Sequence, residues 1–481
     1  MADSRTGLTF ELLSKAIASH AAAIRCRSEL QPAAGAGTKV FPPTHSGGVY
    51  ATEQRRIPDH ELPVECVLLD SVQSQANRIE EALQDAVDRK LIEIPLIVVD
   101  FGNEVADIQR VTSLQAPHRA ADAILRDSLL GDVPFRKSNI GQRITESSLT
   151  NATALFEFCP HALVLGIWDS TGPKGGLGAK FARAMVSEIV GIDAVFGVKT
   201  SSRIDPLQIS KQAGPLFRRE DGSWTLKPSE AVQERDSKGK LTGKVLLYKQ
   251  VGKKDVYFDP VKQAGEVPDA GKPSAANHGN VTPDLGHYDD NHAARNPLLG
   301  MKSQFRYRFT QDTAGVSIIS NAESAEGLTI RSGDIAAGGV TIAHAEHTAV
   351  LSLPQLRRLR FPIDGEFDSK RDDAARTVLA ALALVGLTLA AERGFDLRSR
   401  CLLFPNDAMR FELLETPGNP TAFSLHSAEA IKIFEKAVSA AKDAGLPWNT
   451  KPITLKPSPQ LIELVKRSQA IAASSLEGGG E

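Results

Sequence analysis

Short apolar runs alternate with segments of helical periodicity along the chain from about residue 62 onward. Val64 to Leu69 is a strand-like apolar run. Val72 to Leu91 repeats its apolar positions every three or four residues, which predicts a helix. Pro117 to Leu130 keeps the same period, with proline at an early helical position and Gly131 just beyond the end, so a second helix is expected there.

The same alternation continues to the end of the chain. It predicts strands at Ile94 to Phe101, Ala162 to Trp168, Ala194 to Thr200, Cys401 to Phe404 and Phe411 to Leu414, and helices at Phe181 to Val190, Leu353 to Leu359, Asp372 to Arg393 and Ala428 to Ala444. This order of strands and helices suits a parallel sheet as well as a ferredoxin-like antiparallel one, so the pattern leaves both open.

Two polar stretches interrupt this order. Ser223 to Gly243 and Val261 to Asn296 are rich in Gly, Pro, Asp, Asn and Lys, which is typical of inserted loops. Ser303 to Leu353 returns to the alternation of a strand and predicts a hairpin arm. Val378 to Ala391 is the longest apolar stretch, but it is shorter than the roughly 20 residues that cross a bilayer, so we expect a buried core helix.

Composition is that of a folded protein. The chain has 481 residues, 42% of them hydrophobic and 24% charged, a length that predicts two domains or one domain with large insertions. Four scattered cysteines predict reduced thiols, and the polar first residues predict a cytoplasmic protein without a signal peptide. The net charge of −2 counts against a nucleic-acid role, although residues 110–183 carry nine basic and six acidic side chains.

The glycine-rich segment from Gly172 to Arg183 is the most informative local feature. Small residues let backbone amides approach an anion closely, and we expect a helix to begin beside them, which predicts a phosphate site. The candidate ligands are Lys174, Gly175, Gly176, Lys180 and Arg183. A plain structural turn is an equally open interpretation.

Two other polar groups are candidate contacts to a nucleic acid. Arg119 and Arg126 fall on one face of the helix predicted from Pro117, where they either grip phosphates or belong to a ladder of ion pairs with Asp122. A dense group of polar side chains lies in the first turns of the helix predicted from Val72, where it could donate hydrogen bonds to sugar or phosphate oxygens. That group consists of Gln75, Asn77 and Arg78, beside a capping Asp70 or Ser71.

No ligand set or catalytic motif has the usual spacing, so neither a metal nor a cofactor is predicted. His344 and His347 fall on opposite faces of an expected strand, and we interpret the neighbouring histidines as loop residues; these are His278, His287 and His292. Asp70, Asp127 and Asp169 follow apolar segments and leave open a metal-dependent phosphodiesterase or nucleotide-hydrolysing enzyme. A protein-only assembly module is a third alternative.

Several segments resemble one protein family, the type I-G (formerly I-U) CRISPR-associated RAMP protein, which is the backbone subunit of a Cascade complex. The resemblance runs from about residue 40 to residue 361. It rests on Val40 to Thr44, Leu68 to Arg78, His118 and Arg119, Arg126 to Ser128, Leu165 to Ser170, Gly338 to Thr341 and Leu353 to Phe361.

This resemblance implies an α+β fold with an RRM-like, ferredoxin-type palm and large insertions that include a thumb-like β arm. The expected division is an N-terminal extension at 1–61, a palm at 62–260 and 346–445, an arm at 261–345 and a tail at 446–481. It also implies a non-catalytic subunit whose copies line up on CRISPR RNA beside other Cascade subunits. The guide then pairs with a target DNA strand, and base identity is left to the RNA.

Overall fold

The computed structural model describes most of the chain. The described residues are 7–45, 49–58, 60–105, 108–171, 180–198, 200–203, 213–251, 254–273, 281–285, 308–312, 315–319 and 337–478. The chain divides into two compact units: residues 1–197 with 339–471, and residues 198–338 with 472–481. Much of the predicted arm, including residues 286–307 and 320–336, lies outside the described residues.

Ten α-helices are described. They are α1 (Phe10–Ala18), α2 (Val72–Asp88), α3 (Ala123–Arg126), α4 (Asn139–Thr145), α5 (Thr153–Phe158), α6 (His161–Leu165), α7 (Leu353–Arg357), α8 (Ser369–Glu392), α9 (Ser427–Asp443) and α10 (Pro459–Gly478). Short 3₁₀ helices span Arg119–Ala121, Phe135–Lys137, Pro228–Glu230 and Asp269–Gly271.

The described strands of the first half are β1 (Ala23–Pro32), β2 (Thr44–His45), β3 (Val49–Tyr50), β4 (Thr52–Arg55), β5 (Val64–Asp70), β6 (Ile97–Asp100), β7 (Arg110–Thr112), β8 (Ser128–Leu130), β9 (Val133–Pro134), β10 (Ile167–Trp168), β11 (Lys180–Phe181), β12 (Met185–Ile192), β13 (Val195–Val198), β14 (Thr200–Arg203), β15 (Phe217–Arg218), β16 (Trp224–Thr225), β17 (Gln233–Arg235) and β18 (Leu241–Leu246).

Those that follow are β19 (Tyr257–Phe258), β20 (Val281–Leu285), β21 (Arg308–Asp312), β22 (Gly315–Ile319), β23 (Ala337–Thr341), β24 (His344–Ser352), β25 (Phe395–Arg398), β26 (Cys401–Pro405), β27 (Arg410–Thr416), β28 (Asn419–Phe423) and β29 (Ile453–Pro457).

A nine-stranded sheet forms the centre of the first unit. Its order is β25-β26-β1-β24-β12-β5-β4, and β27 also pairs with β1 and carries β28 at its other edge. Neighbouring strands are antiparallel. One edge of β1 pairs with β24, and the other edge is divided between two strands, because its first half pairs with β27 and its last residues pair with β26.

Side-chain alternation explains why β1 has one buried and one open face. Ile24, Cys26 and Leu30 are buried, whereas Arg27 and Glu29 between them are exposed. Successive strand residues point to opposite faces, so the apolar set lies on one side of the sheet. The buried side packs on the helices.

Helix α8 is the core helix that the apolar stretch predicted. Residues 377–388 are buried on all sides of it, which is typical of a helix enclosed by its own protein. A methyl group on Gly386 would lie 2.6 Å from Ile79 Cγ2, so glycine allows α2 to approach α8 closely. Among the described residues α8 alone is long and apolar enough to cross a membrane, and 78% of its apolar window is buried.

The β25–β26 hairpin closes a second apolar cluster against the sheet. Phe395, Leu397 and Leu403 are buried there together with Leu69 and Ile189. The hairpin residues therefore contact β5 and β12, although β1 and β24 lie between these strands and the hairpin in the sheet.

A smaller sheet lies in the same unit, with the order β7-β6-β29-β8-β9. Strands β29 and β6 are parallel, and the other neighbours are antiparallel. The segment Ile453–Pro457 therefore lies between two strands that come more than 300 residues earlier.

The second unit contains short antiparallel ladders. Strands β17, β18 and β19 form a three-stranded sheet, and β21 pairs with β22 as a hairpin. Its apolar cluster consists of Phe217, Ala231, Val245, Leu247, Phe258 and Ala270.

Most of the predicted helices and strands are present, but three predictions were wrong. The helix predicted at Pro117 to Leu130 is a 3₁₀ turn, a single α-turn and a strand. Arg119 has a φ of +54°, which interrupts the helix, and Asp122 restarts it by accepting a hydrogen bond from the Ile124 amide. Arg119 and Arg126 therefore do not share a continuous helical face.

The other two errors come from apolar runs whose period is hard to identify. The helix predicted at Phe181 to Val190 is largely strand β12, which has buried apolar residues on both faces: Ile189 and Val190 belong to two different apolar clusters. The strand predicted at Ala162 to Trp168 is mainly helix α6, fully buried and ended by Gly166 at a φ of +87°. Short apolar runs do not distinguish buried strands from buried helices.

Candidate nucleic-acid interface

Arg119 lies in the interior. Its guanidinium donates to both carboxylate oxygens of Glu80, at 2.7 and 2.9 Å, and to the carbonyl oxygen of Gly166 at 2.9 Å. The two side chains are 8% and 4% exposed. Burial raises the pKa of Glu80 to about 7, while the charge of Arg119 opposes that rise. Arg119 therefore links helix α2, through Glu80, to the turn at Gly166.

Gln75 and Arg78 are bound to the carboxylate of Asp70, which is fully buried at the end of β5. Gln75 donates to Asp70 Oδ2 at 2.6 Å and Arg78 Nε donates to it at 2.9 Å. Arg398 donates to Asp70 Oδ1 at 3.2 Å. Arg78 also donates to the carbonyl oxygens of Asp396 and Leu397. The carboxylate thus anchors the β25–β26 hairpin to α2.

The same network continues to a buried histidine. Ser187 Oγ donates to Gln75 Oε1 at 2.9 Å and lies 2.9 Å from His347 Nε2. Because the serine has one proton and gives it to Gln75, His347 Nε2 carries the proton of that second hydrogen bond. Burial lowers the pKa of His347 to about 4, so the ring is neutral at pH 7.

Asn77 is exposed, but its surroundings are acidic. It lines a groove of about 470 Å³ together with Glu81, Asp85 and Asp88, and Arg393 is the one basic residue among the lining side chains. Carboxylates repel phosphate, so the field in this groove disfavours a nucleic-acid backbone.

The other aspartates named by the sequence are bound to arginines. Arg126 donates to both oxygens of its neighbour Asp127, at 2.7 and 2.9 Å, on a half-exposed surface. Arg136 donates to Asp169 Oδ1 at 2.5 Å and to the carbonyl oxygen of Thr171 at 2.8 Å. These pairings give Asp127 and Asp169 structural partners.

Lys180 and Arg183 differ from the arginines above because both are exposed. No ion pair is present for either one within the described part of the chain. The Arg183 side chain is nevertheless partly desolvated, and this desolvation together with repulsion from Arg119 lowers its pKa, while the charge of Glu80 opposes that shift. Lys174, Gly175 and Gly176 lie outside the described residues. The predicted helix after the glycines is absent, since residues 180–181 form β11, so no helix N-terminus contributes here.

Strands β10 and β11 form a two-residue ribbon in which Trp168 pairs with Lys180. Lys180 Nζ lies 5.0 Å from the centre of the Trp168 ring, and that tryptophan is 57% exposed. Trp168 was not among the predicted contacts, because the run from Ala162 to Trp168 was expected to be a buried strand. The alternation from Ile167 to Trp168 was the signal that could have identified it.

The open face of the large sheet has a different character. Arg25 pairs with Glu412 at 2.6 Å, Arg27 with Glu346 at 2.8 Å and Arg55 with Glu188 at 3.2 Å. The depression on this face is lined by three arginines and three glutamates: Arg25, Arg27, Arg410, Glu29, Glu346 and Glu412. Its charges therefore balance.

Among the described residues no group of three or more His, Cys, Asp or Glu side chains could hold a metal ion. His344 and His347 fall on opposite faces of β24, as predicted, with only His347 buried. His278, His287 and His292 lie outside the described residues.

Comparison with known proteins gives one family. Residues 24–195 match the family model of CRISPR-associated protein GSU0053, which is 172 of the 481 residues. No curated protein matches the chain. The matched segment begins in β1, ends just after β12, and includes Glu80, Arg119 and the β10–β11 ribbon. The match indicates that this part of the chain is similar to a CRISPR-associated protein.

Proposed function

We propose that this chain is a non-catalytic backbone subunit that binds CRISPR RNA in a type I-G Cascade complex. Several copies would line up along the guide, beside other Cascade subunits, and present it to a target DNA strand. The observation that carries the proposal is the pair of exposed cations without an ion-pair partner, Lys180 and Arg183, within the segment that matches a CRISPR-associated family.

Strand order supports an RRM-like palm. Strands and helices occur in the order β1, α2, β12, β24, α8, β27, which is the β-α-β-β-α-β order of a ferredoxin-like fold. Strand β24 lies between β1 and β12, and β27 lies on the other side of β1. Strands β4, β5, β25 and β26 would then be additions to this palm.

The open sheet face favours backbone binding over base reading. Many RRM domains stack bases on aromatic side chains of this face. Here the outward positions of β1, β24 and β12, all fully described, hold no Phe, Tyr or Trp. A subunit that carries any guide sequence should hold sugar and phosphate and leave base edges free.

Lys180 and Arg183 are the proposed phosphate contacts, with Lys174, Gly175 and Gly176, which precede them in sequence, as further candidates. Cations that already bind a carboxylate gain less from a phosphate, since the first pair must be broken. Arg119, Arg78 and Gln75 have such internal partners and are proposed to support the fold rather than to touch RNA.

The first experiment mixes full-length protein with guide RNAs of unrelated sequence and measures copies per RNA by mass photometry. We expect several copies on each guide. Protein that retains no RNA, alone or with its Cascade partners, would contradict the proposal. RNA cleavage in the presence of Mg²⁺ that Asp169→Asn or Asp70→Asn abolishes would instead support the phosphodiesterase alternative.

The second experiment compares two double variants, each of which removes two positive charges from one surface of the protein. Replacing Lys180 and Arg183 with alanine should weaken RNA binding about tenfold for every guide sequence. It should also reduce the slope of log K against log salt by about 1.4. The matched control replaces Arg25 and Arg27, which have glutamate partners, and should change affinity much less. An equal loss in both variants would show that only net charge matters.

A further inference from the structure

Trp168 is presented to solvent by a rigid backbone. The carbonyl oxygen of Gly166, two residues before it, accepts a hydrogen bond from the buried Arg119. Asp169, the next residue, is bound by Arg136 and is itself buried. The backbone is therefore fixed on both sides of an indole that is 57% exposed.

The two sides of the β10–β11 ribbon differ, because one side is buried and the other faces solvent. Ile167 and its partner Phe181 are buried at 6% and 3%, so the opposite side of the ribbon holds Trp168 and Lys180. A tryptophan usually contributes much of its area to a core. Here the fold places the smaller Ile167 inside and leaves the larger ring outside.

A cation contacts this ring, and a second lies beside the residue two positions before it. Lys180 Nζ lies over the indole at 5.0 Å, and the side chain of the exposed residue Arg183 packs beside Gly166. An exposed aromatic ring beside unpaired cations is the combination that binds single-stranded nucleic acid, because the ring stacks on a base while the cations meet phosphates.

We propose that Trp168 is a stacking platform for one base of a bound single-stranded RNA, with Lys180 and Arg183 on the adjacent phosphates. This inference rests on the proposed function and adds a base contact to it. Stacking does not read sequence, since every base has a π face, so the platform is compatible with a guide of any sequence.

Intrinsic fluorescence tests the platform directly. The chain has three tryptophans: Trp448 is 8% exposed, while Trp168 and Trp224 are more than half exposed. In a full-length Trp224→Phe background, Trp168 is the accessible indole. We expect single-stranded RNA to quench its emission in step with binding, and an abasic strand of the same length to bind without that quenching.

Affinity provides the second measurement. Trp168→Ala should weaken RNA binding about tenfold, the size of one base–aromatic stack, and should leave affinity for the abasic strand unchanged. Trp168→Phe is the matched control that keeps an aromatic face and should retain most of the affinity.

The outcomes separate the two proposals. RNA that binds wild-type and Trp168→Ala protein equally, without quenching, overturns the platform and leaves the backbone function intact. Emission that changes only when other Cascade proteins are added would place Trp168 in a protein interface and also overturn it. No RNA binding by any variant or complex would overturn both.

Discussion

Two arginines that meet the same glycine show how differently this chain uses positive charge. Arg119 binds the carbonyl oxygen of Gly166 from the interior and forms a two-fold ion pair with Glu80. Arg183 packs against the same residue from outside and has no ion pair within the described residues. The partner of a basic residue, and not its place in a basic stretch, decides whether its charge is available to an anionic ligand.

The largest effect is expected from breaking the interior pair. Arg119→Met leaves Glu80 buried without its partner and should lower the free energy of unfolding by about 3 to 5 kcal/mol. Guanidinium-induced unfolding would measure it. The double variant with Glu80→Leu removes both charges and should recover part of that loss. A single-variant loss below about 1 kcal/mol would contradict the interior role.

The interior residue His347 should make the stability of the protein depend on pH. The pKa of His347 is about 4 in the folded protein and about 6.5 when unfolded, so the unfolded chain binds more protons between these values. Stability is therefore lost as pH falls from 6.5 to 4, by about 3 kcal/mol. His347→Gln keeps a donor for Ser187 but does not titrate.

Urea unfolding at pH 7 and pH 4.5 would measure that loss. The stability of wild type relative to the His347→Gln variant should fall with acid, whatever other groups titrate. Parallel pH profiles for the two proteins would show that His347 is not held neutral.

A smaller effect is expected at the glycine shared by the two arginines. Gly166→Ala should cost about 1 to 3 kcal/mol, because the residue has a φ of +87° and a Cβ would lie 3.2 Å from the Phe181 carbonyl oxygen. Thermal unfolding would measure it. Gly131→Ala is the matched control, with a φ of +61° and open space around it, and should cost less.

Gly166→Ala should also weaken RNA binding, since the new methyl group would lie 3.0 Å from Arg183 Cγ and displace that side chain. Unchanged RNA affinity in a folded Gly166→Ala variant would separate Arg183 from the interface.

The smallest effect is expected at Arg126. Its pair with Asp127 is half exposed, so Arg126→Ala should change the free energy of unfolding by less than about 1 kcal/mol. RNA affinity should change less than in the Lys180 and Arg183 variant. A larger loss of affinity than in that variant would return the interface to the surface around Arg126.

Secondary structure was predictable where periodicity is long and one-sided. Helix α2 and strand β5 follow directly from their apolar spacing, and α8 was expected from its length. The chain around Arg119 was not predictable, because a buried glutamate from another helix holds that arginine in a left-handed conformation. No local pattern contains that partner.

The candidate interface was predictable in part. Lys180 and Arg183 were named from the glycine-rich segment, although for a helix that does not form. Gln75, Arg78 and Arg119 were indistinguishable from them in sequence, since all are polar residues near turns. Their partners come from strands and turns that only the folded chain brings together.

The position of β24 has a consequence for synthesis of the chain. Strands β1 and β12 lie within the first 195 residues, but the strand that joins them is His344–Ser352. Until that strand leaves the ribosome, both have unpaired edges whose amide and carbonyl groups have no neighbour. Folding of the large sheet therefore completes late in translation, and a fragment that ends at residue 195 should aggregate rather than bind a guide.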